Sequence, residues 1–416
     1  MICVFGILLL AGSAAAQALS SQEGAPLSLP EAIERVHSHS PARGAAQARE
    51  QAAAGALFQA TRLPNPSLDL RQENLNLNSG RHAPVDQTVD VFAVFSQPLE
   101  TGGKRATRTA IATADVEIAR AILRDTERKL TLETLRFYLA ALRASRVGRV
   151  LADNRRDLQT LVDTMIRRVQ EGYAAEADLL KFRTEVARLE TELTRVHLEF
   201  TRNVVALSAL LLMPESLSEA QLVEYAPLDP PTGRIEELAQ TAVNQQPTIL
   251  IARARLERAR RAVELERARR LPDVAFALGY KRTAGEDTVV TGFIVPLPIY
   301  DQNRGNIERT LAEERATALE LETVTRQLTA ETIALLTTAQ QLVERARDSD
   351  TALLQPAEIV RNAARSAFRE GAANILQLID AERVYTDARR TVLDLKFDAY
   401  AAAFEARLVV DGKERP

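Results

Sequence analysis

Residues 179–210 read LLKFRTEVARLETELTRVHLEFTRNVVALSAL, and this stretch decides the fold. Its apolar side chains recur at alternating steps of three and four residues, interrupted only by the polar residue Asn203. Residues 378–409, LIDAERVYTDARRTVLDLKFDAYAAAFEARLV, repeat this spacing about 199 residues later. A sustained repeat of about 3.5 residues keeps one apolar seam against a partner helix and winds the pair into a left-handed supercoil. The sequence therefore predicts two long coiled-coil helices.

Each of these helices follows a glycine turn, at Gly172 in the first half and at Gly371 in the second. Glycine is typical of the position just after a helix, because that position needs a positive φ. The duplication extends upstream, since residues 29–41 align with residues 235–247. Each of these segments leads into an Ala/Arg/Glu-rich helix closed by Leu63-Pro64 or by Leu271-Pro272.

After each Leu-Pro closure the apolar period changes to two, which predicts strands. In the second half Phe276, Leu278 and Tyr280 alternate with small residues. The predicted strands are residues 67–77, residues 88–99, the run from Val274 up to the loop that begins at Thr283, and residues 289–297; the predicted loops are 78–86 and 283–287. We expect a mainly α fold with a small β part, internally duplicated as helix, strand, strand, helix, helix. The predicted domains are a first repeat at 19–226, a Pro-rich linker at 227–233 and a second repeat at 234–416.

Composition narrows the class of protein. Aromatic residues make up 5% of the chain and Trp is absent, while Ala, Leu, Glu and Arg are abundant, as in long helices. A net charge of -3 is too small to favour a nucleic-acid partner. The one cysteine, Cys3, lies in the leader, so the mature chain is expected to have no disulfide and no thiolate metal site.

The first 18 residues are predicted to be a signal peptide. Residues 2–10 form a short apolar core, and residues 14–16 or 16–18 supply a small-residue cleavage site. No Lys or Arg precedes that core, so a buried N-terminal helix stays open as the alternative.

The length and the number of the predicted strands indicate that they pair with strands of other copies of the chain. Each is about 9 to 12 residues long, the length of a transmembrane β-strand. Four strands cannot close a barrel with a lumen, and an open sheet edge cannot lie in lipid. Several copies of the chain must therefore pool their strands, although the number of copies does not follow from these residues alone.

The paired layout and its motifs resemble the TolC family of outer-membrane efflux channels over nearly the whole mature chain. The matching motifs are LPEAI at 29–33 with Pro41, QPLETGGKR at 97–105, VPLPIYDQNRG at 295–305, and the two glycine turns. The GGKR and PLPI forms are most similar to the branch that exports cobalt, zinc, cadmium or copper.

This resemblance implies a homotrimer with one twelve-stranded barrel in the outer membrane of a Gram-negative bacterium. A long α-helical coiled-coil barrel would continue it through the periplasm. The channel would be passive and would contact outer-membrane lipid, a periplasmic adaptor and an inner-membrane pump. Loops 78–86 and 283–287 would face outside.

The glycine turns would be the periplasmic tips that dock the adaptor. Paired helices break briefly there, and small side chains allow close approach: Ala174, Ala175, Ala372 and Ala373. In the family, carboxylates six and nine residues after the second glycine can ring the mouth; these positions are Gln377 and Asp380 here. Asp178 matches a family acid after the first turn, but an ordinary first-turn acid explains it equally well. In the family this acid pairs with a basic residue just past the second glycine in an ionic latch, but that basic position is Ala373 here. For Asp380 an ordinary solvated acid is the alternative interpretation.

Other candidate sites favour structural explanations. Gly102, Gly103, Lys104 and Arg105 resemble a phosphate loop only in part, because Arg105 stands where Ser or Thr is needed. With Pro98, Pro296 and Pro298 they are predicted to form strand-to-helix joints. His37 and His39 lack further ligands nearby, so we predict no metal site, no cofactor and no catalytic residue.

Three alternative functions remain open. The cargo of the channel could be drugs or other small molecules instead of metals. A periplasmic coiled-coil adaptor or scaffold would also explain the helices and the leader. An enzyme is disfavoured, because four scattered His and no mature Cys cannot assemble a nucleophile, a base and an orienting group.

Overall fold

The computed structural model describes residues 26–74, 89–214, 217–283 and 285–411. The predicted signal peptide, loop 78–86, Leu77 and Thr88 lie outside these residues. The chain forms two compact units. The hairpin unit comprises Met1–Gly44, Thr126–Val243 and Thr329–Pro416, and the sheet unit comprises Ala45–Asp125 and Asn244–Leu328.

The elements follow the predicted duplicate order. The first half contains α1 (Leu29–His39), α2 (Pro41–Ala60), β1 (Ser67–Glu73), β2 (Asp90–Leu99), α3 (Lys104–Gln170) and α4 (Glu176–Leu210). The second contains α5 (Ile235–Gln245), α6 (Pro247–Ala268), β3 (Val274–Thr283), β4 (Glu286–Ile294), α7 (Arg304–Ser349), a π-helical turn (Asp350–Leu354), α8 (Gln355–Arg369) and α9 (Ile375–Asp411). Within the described residues no helix is long and apolar enough to cross a bilayer.

Local signals set the helix boundaries. Ser28 and Glu31 form a capping box at the start of α1, with Ser28 N donating to Glu31 Oε2 at 2.8 Å. This hydrogen bond from the backbone lowers the pKa of Glu31. Pro41 opens α2 and Pro247 opens α6, where the missing N–H of proline costs nothing.

The heptad seam forms the core of the hairpin unit, as predicted. Its members Phe182, Leu189 and Leu378 are fully buried, and Phe182 packs edge-on against Phe368 at 6.2 Å between ring centroids. Asn203, the polar residue that interrupts the seam, is also buried. Its Nδ2 donates to Glu199 O of the same helix at 2.9 Å.

Tyr138 ties two extended segments to α3. Its hydroxyl lies 2.8 Å from Leu27 O and 2.7 Å from Val223 O, and burial raises its pKa to about 12. Because the folded pKa exceeds the usual value near 10, this group contributes stability that is complete below about pH 10 and is lost as pH rises towards about 12.

Tyr138→Phe should therefore lower the free energy of unfolding by about 1 to 3 kcal/mol at neutral pH. It should also weaken the alkaline loss of stability in thermal melts, whereas Tyr173→Phe, at an exposed position, should change neither.

The sheet is antiparallel, in the order β1-β2-β3-β4. Several predicted bounds were wrong: β1 ends at Glu73, β2 begins at Asp90 and β3 extends to Thr283. Strand β4 begins at Glu286, because Glu286 and Asp287 pair with Thr283 and Arg282 around a turn at Gly285, whose φ is +85°. It ends at Ile294 and not at residue 297, because Pro296 and Pro298 cannot donate ladder hydrogen bonds. Pro98 lies inside β2, opposite Ala275 and beyond the last pair with β1.

Candidate functional site: hairpin tips, joints and sheet faces

The first hairpin tip joins α3 to α4. Gly172 has a φ of +80°, and its N–H donates to Val169 O at 3.1 Å. The next N–H, that of Tyr173, reaches back to Arg168 O at 2.8 Å. These two bonds form a Schellman motif, in which a residue with positive φ closes the end of a helix. The tip presents the Tyr173 side chain, which is 81% exposed.

The second tip repeats this geometry between α8 and α9. Gly371 has a φ of +76° and donates to Phe368 O at 3.3 Å, while Ala372 N donates to Ala367 O at 2.8 Å. No atom would meet a Cβ within 4 Å at Gly172 or at Gly371. Dihedral strain, and not lack of space, is therefore what restricts these two positions. The predicted docking alanines flank the turns; Ala175 and Ala372 are exposed, and Ala174 and Ala373 are half-buried.

The predicted gate residues occupy different local environments. Gln377 forms a capping box with Asn374, in which Asn374 N donates to Gln377 Oε1 at 3.1 Å and Gln377 N donates to Asn374 Oδ1 at 2.9 Å. Asp178 lies in the first turn of α4 and pairs with Lys181 at 2.9 Å. Asp380 is exposed one turn beyond the cap. The hydrogen bond to Glu185 is the main cause that raises the pKa of Arg383, and the charge of Asp380 adds a smaller contribution.

Two buried carboxylates near the tips were not predicted. Glu185 on α4 is 3% exposed and accepts hydrogen bonds from Arg188 at 2.8 Å and from Arg383 on α9. Burial alone would raise the pKa of Glu185, but the bonds from the two arginines outweigh it and lower the pKa. These contacts join the first hairpin to the second.

The other carboxylate, Glu382 on α9, is 2% exposed and is held by Arg365 of α8. Arg365 also reaches Asp157 on α3 at 2.6 Å. Burial opposes the charge of Arg365, yet the hydrogen bonds to Glu382 and Asp157 raise its pKa. Close by, Asn154 Nδ2 donates to Thr386 Oγ1 at 2.7 Å. Charged side chains thus connect α3, α8 and α9 inside the hairpin unit.

The QPLETGGKR motif spans the end of β2 and the start of α3. Lys104 Nζ lies 2.7 Å from both Leu271 O and Asp273 Oδ1, and Thr101 N donates to the same carboxylate oxygen at 2.9 Å. Gly102 and Gly103 have φ values of +65° and +75°, and a Cβ on Gly102 would lie 3.0 Å from Leu271 Cδ1. The Lys104 ammonium group is thus bonded to groups of its own chain, and it is not placed to bind a phosphate.

The two faces of the sheet differ in chemistry, because residues paired across strands share a face. One face carries the large apolar side chains Leu68, Leu70, Val91, Phe95, Leu99, Val274, Phe276, Leu278, Tyr280, Val289 and Phe293. The opposite face carries mostly charged and small residues, namely Asp69, Arg71, Glu73, Asp90, Lys281, Glu286, Ser67, Ser96, Ala275, Ala277, Gly279 and Gly292, together with the apolar residues Phe92, Val94, Val290 and Ile294. The polar residues Gln72, Arg282 and Asp287 lie on the first face, near the hairpin ends of the strands. This alternation is typical of a transmembrane barrel wall with lipid on one side and water on the other.

Metal-ligand chemistry is sparse in the part of the chain that the structure describes. No three His, Cys, Asp or Glu side chains are placed there to hold an ion. His37 Nε2 lies 3.0 Å from Thr131 Oγ1, and Met165 is buried in the core of the hairpin unit. The expectation of no resident metal stays a prediction.

Comparison with known proteins agrees with this architecture. The family described as Outer membrane efflux protein matches residues 32–211 and 238–406. The cobalt-zinc-cadmium resistance protein CzcC of Cupriavidus metallidurans is 28% identical over 356 residues, covering 84% of this chain and 81% of CzcC. The nickel-cobalt-cadmium resistance protein NccC of Alcaligenes xylosoxydans xylosoxydans is 27% identical over 286 residues, covering 67% of this chain and 62% of NccC. The crystal structure of CusC aligns with a TM-score of 0.77 at 16% identity, covering 92% of this chain and 91% of CusC. The predicted fold class is confirmed.

Proposed function

The chain belongs to the outer membrane efflux protein family, and from this premise we propose that it exports heavy-metal cations. As a family member it is a passive channel of the outer membrane with a large periplasmic helical part, and it is not an enzyme. Channels of this family are trimers that work with a periplasmic adaptor and an inner-membrane pump. The observation that carries the choice of cargo is the similarity to CzcC and NccC, whose names state resistance to cobalt, zinc, cadmium and nickel.

The chemistry of the chain is compatible with this cargo. A wide aqueous conduit needs no dedicated ligands, because an ion that passes in its hydration shell is not stripped of water. The charged and small face of the sheet would line that conduit, and the apolar face would contact outer-membrane lipid.

Deletion of the gene tests the proposal. Sensitivity to cobalt, zinc and cadmium should rise in the deletion strain and return to normal on complementation, while sensitivity to dyes and antibiotics stays unchanged. Sensitivity to organic compounds alone would favour a multidrug channel. A purified protein that stays monomeric in water without detergent would favour the periplasmic scaffold.

For the assembly we propose that the two Schellman tips dock the adaptor and that Asp380 lines the periplasmic mouth. Three copies of an exposed carboxylate around one axis attract cations and repel one another. Gln377 contributes to the second tip as a capping residue, and Asp178 as a first-turn acid paired with Lys181.

Asp380→Asn should reduce cation selectivity and block by multivalent cations in planar bilayers at low salt. The difference should shrink near 1 M salt, where the Debye length is about 3 Å. Asp387→Asn is the matched control, because Asp387 is an equally accessible acid two turns further along α9. Equal effects of the two substitutions would assign Asp380 to the general surface charge and not to the mouth.

A further inference from the structure

Two strand edges have no neighbour within the described part of the chain. The order β1-β2-β3-β4 leaves one edge of β1 and one edge of β4 unpaired. Such edges are templates for another strand, and they cannot stay open in lipid. We propose that β4 pairs with β1 of a second copy in one defined register, in which Phe293 faces Leu70 of the partner subunit. This inference rests on the proposed function, since it takes the assembly to be a closed ring of identical chains.

The two hairpins of the chain have the same internal register. Ser67 pairs with Ser96 in the first hairpin, and Ala275 pairs with Ile294 in the second. Ser67 and Ala275 each lie three residues after the proline of a Leu-Pro closure. Ser96 and Ile294 each lie two residues before the first proline of a joint. Strand positions are therefore equivalent between the halves, and the pairing in one half correctly reproduces the pairing in the other.

The same equivalence fixes the pairing between copies. Within the chain Phe95 of β2 pairs with Leu278 of β3, which is the contact between the first and the second half. The equivalents of these residues are Phe293 on β4 and Leu70 on β1. Both lie on the apolar face of the sheet and are exposed by 69% and 70%, so the register keeps the two faces continuous. A slip of one residue would put Phe293 opposite Asp69 or Arg71, which lie on the charged face.

The joints supply an independent reason for the same arrangement. The first joint contacts the turn after α6, where Thr101 Oγ1 donates to Pro272 O at 2.6 Å and Gly102 approaches Leu271. By the repeat, the second joint should contact the Leu63-Pro64 turn after α2 of the next copy. Both surfaces are uncovered within the chain, since Leu63 is 59% exposed and Tyr300 is 100% exposed.

The contact between copies differs in chemistry from the contact inside the chain. Lys104 and Asp273 pair in the first joint, but their equivalents, counted from the same prolines, are Gln302 and Asn65. Next to Gln302, Asn303 Nδ2 donates to Glu266 Oε2 at 2.7 Å on its own chain. The second joint offers Leu297, Ile299 and Tyr300 instead, so burial of apolar surface would replace the ion pair.

Disulfide cross-linking tests the register, because Cys3 is the only native cysteine. Leu70→Cys/Phe293→Cys should give a covalent trimer on oxidation of the detergent-solubilised protein. Leu68→Cys/Phe293→Cys and Gln72→Cys/Phe293→Cys keep the same face but are offset by two residues. Directly opposed Cβ atoms lie about 4.5–5.5 Å apart and diagonal ones about 7–8 Å apart, so the offset pairs should react at least about tenfold less. A link within one chain is excluded, because β1 and β4 lie about 14 Å apart at opposite edges.

The outcomes separate the register from the function. Faster cross-linking of an offset pair would overturn the register, and a trimer that none of the pairs links would overturn the β4-to-β1 pairing. A monomer by mass measurement would overturn the proposed function instead. As a second readout, Tyr300→Asp should lower the temperature at which the detergent-resistant trimer dissociates, while Tyr173→Asp, at an exposed hairpin tip, should not. An unchanged dissociation temperature for Tyr300→Asp would overturn the contact of the second joint.

Discussion

Replacing Gly371 with valine will abolish efflux-dependent metal resistance while the trimer persists in the outer membrane. The N–H groups of Gly371 and Ala372 close α8 only while residue 371 keeps its φ of +76°. A side chain with a Cβ costs about 1–2 kcal/mol in this region of φ, and a β-branched one costs more. The strain would unwind or redirect the tip, so the surface offered to the adaptor would change. Resistance in a deletion strain that carries the variant, together with trimer levels in membranes, measures both parts of this expectation.

Asparagine is the matched control at the same position, because it adopts the left-handed conformation at low cost. Gly371→Asn should keep most of the resistance, and Gly172→Val should behave like Gly371→Val, since Gly172 has a φ of +80°. If both valine variants keep normal resistance with normal trimer levels, the tips do not dock the adaptor. Loss of the trimer itself would point to a role of the turns in folding.

Much of the hairpin unit could be predicted from the sequence, because local signals dominate there. Apolar residues at heptad spacing become the buried seam, and Gly172 and Gly371 take the positive φ that their place after a helix requires. Pro41 and Pro247 divide the upstream helices where the sequence suggested. In each case the sequence signal, a spacing, a glycine or a proline, lies within a few residues along the chain.

The bounds of β4 were harder to predict, because its polar residues hid the alternation. Glu286 and Asp287 read as loop residues, yet they pair across a tight turn with residues of β3. The capping box at Asn374 and Gln377 does have a sequence signal, an Asn followed three residues later by Gln. That signal could have assigned Gln377 a local role from the start.

The buried carboxylates could not be predicted from the sequence alone. Glu185 and Glu382 lie beside the apolar seam, at positions that usually face solvent in a coiled coil. Their arginine partners include residues on other helices: Arg383 lies 198 residues from Glu185, and Arg365 lies 17 residues from Glu382. Only the packing of the helices against one another shows that these acids are enclosed.

The enclosure of Glu382 leads to the largest stability effect that we expect. Arg365→Met would leave a carboxylate that is 2% exposed without its guanidinium, and it would also remove the 2.6 Å contact to Asp157. Breaking a buried ion pair from one side costs about 3–5 kcal/mol, because the remaining charge is neither solvated nor paired. Thermal unfolding of the detergent-solubilised trimer and hydrogen exchange in α8 and α9 measure the effect.

A double variant and an exposed control make this test specific. Arg365→Met/Glu382→Leu removes both charges and should recover most of the lost stability, because an apolar pair can replace a buried ion pair at little cost. Arg326→Met breaks the Arg326–Glu322 pair, whose side chains are 80% and 54% exposed, and should cost less than about 1 kcal/mol. If Arg365→Met costs no more than Arg326→Met, the Arg365–Glu382 pair does not hold the second hairpin together, and packing of the heptad seam alone sustains it.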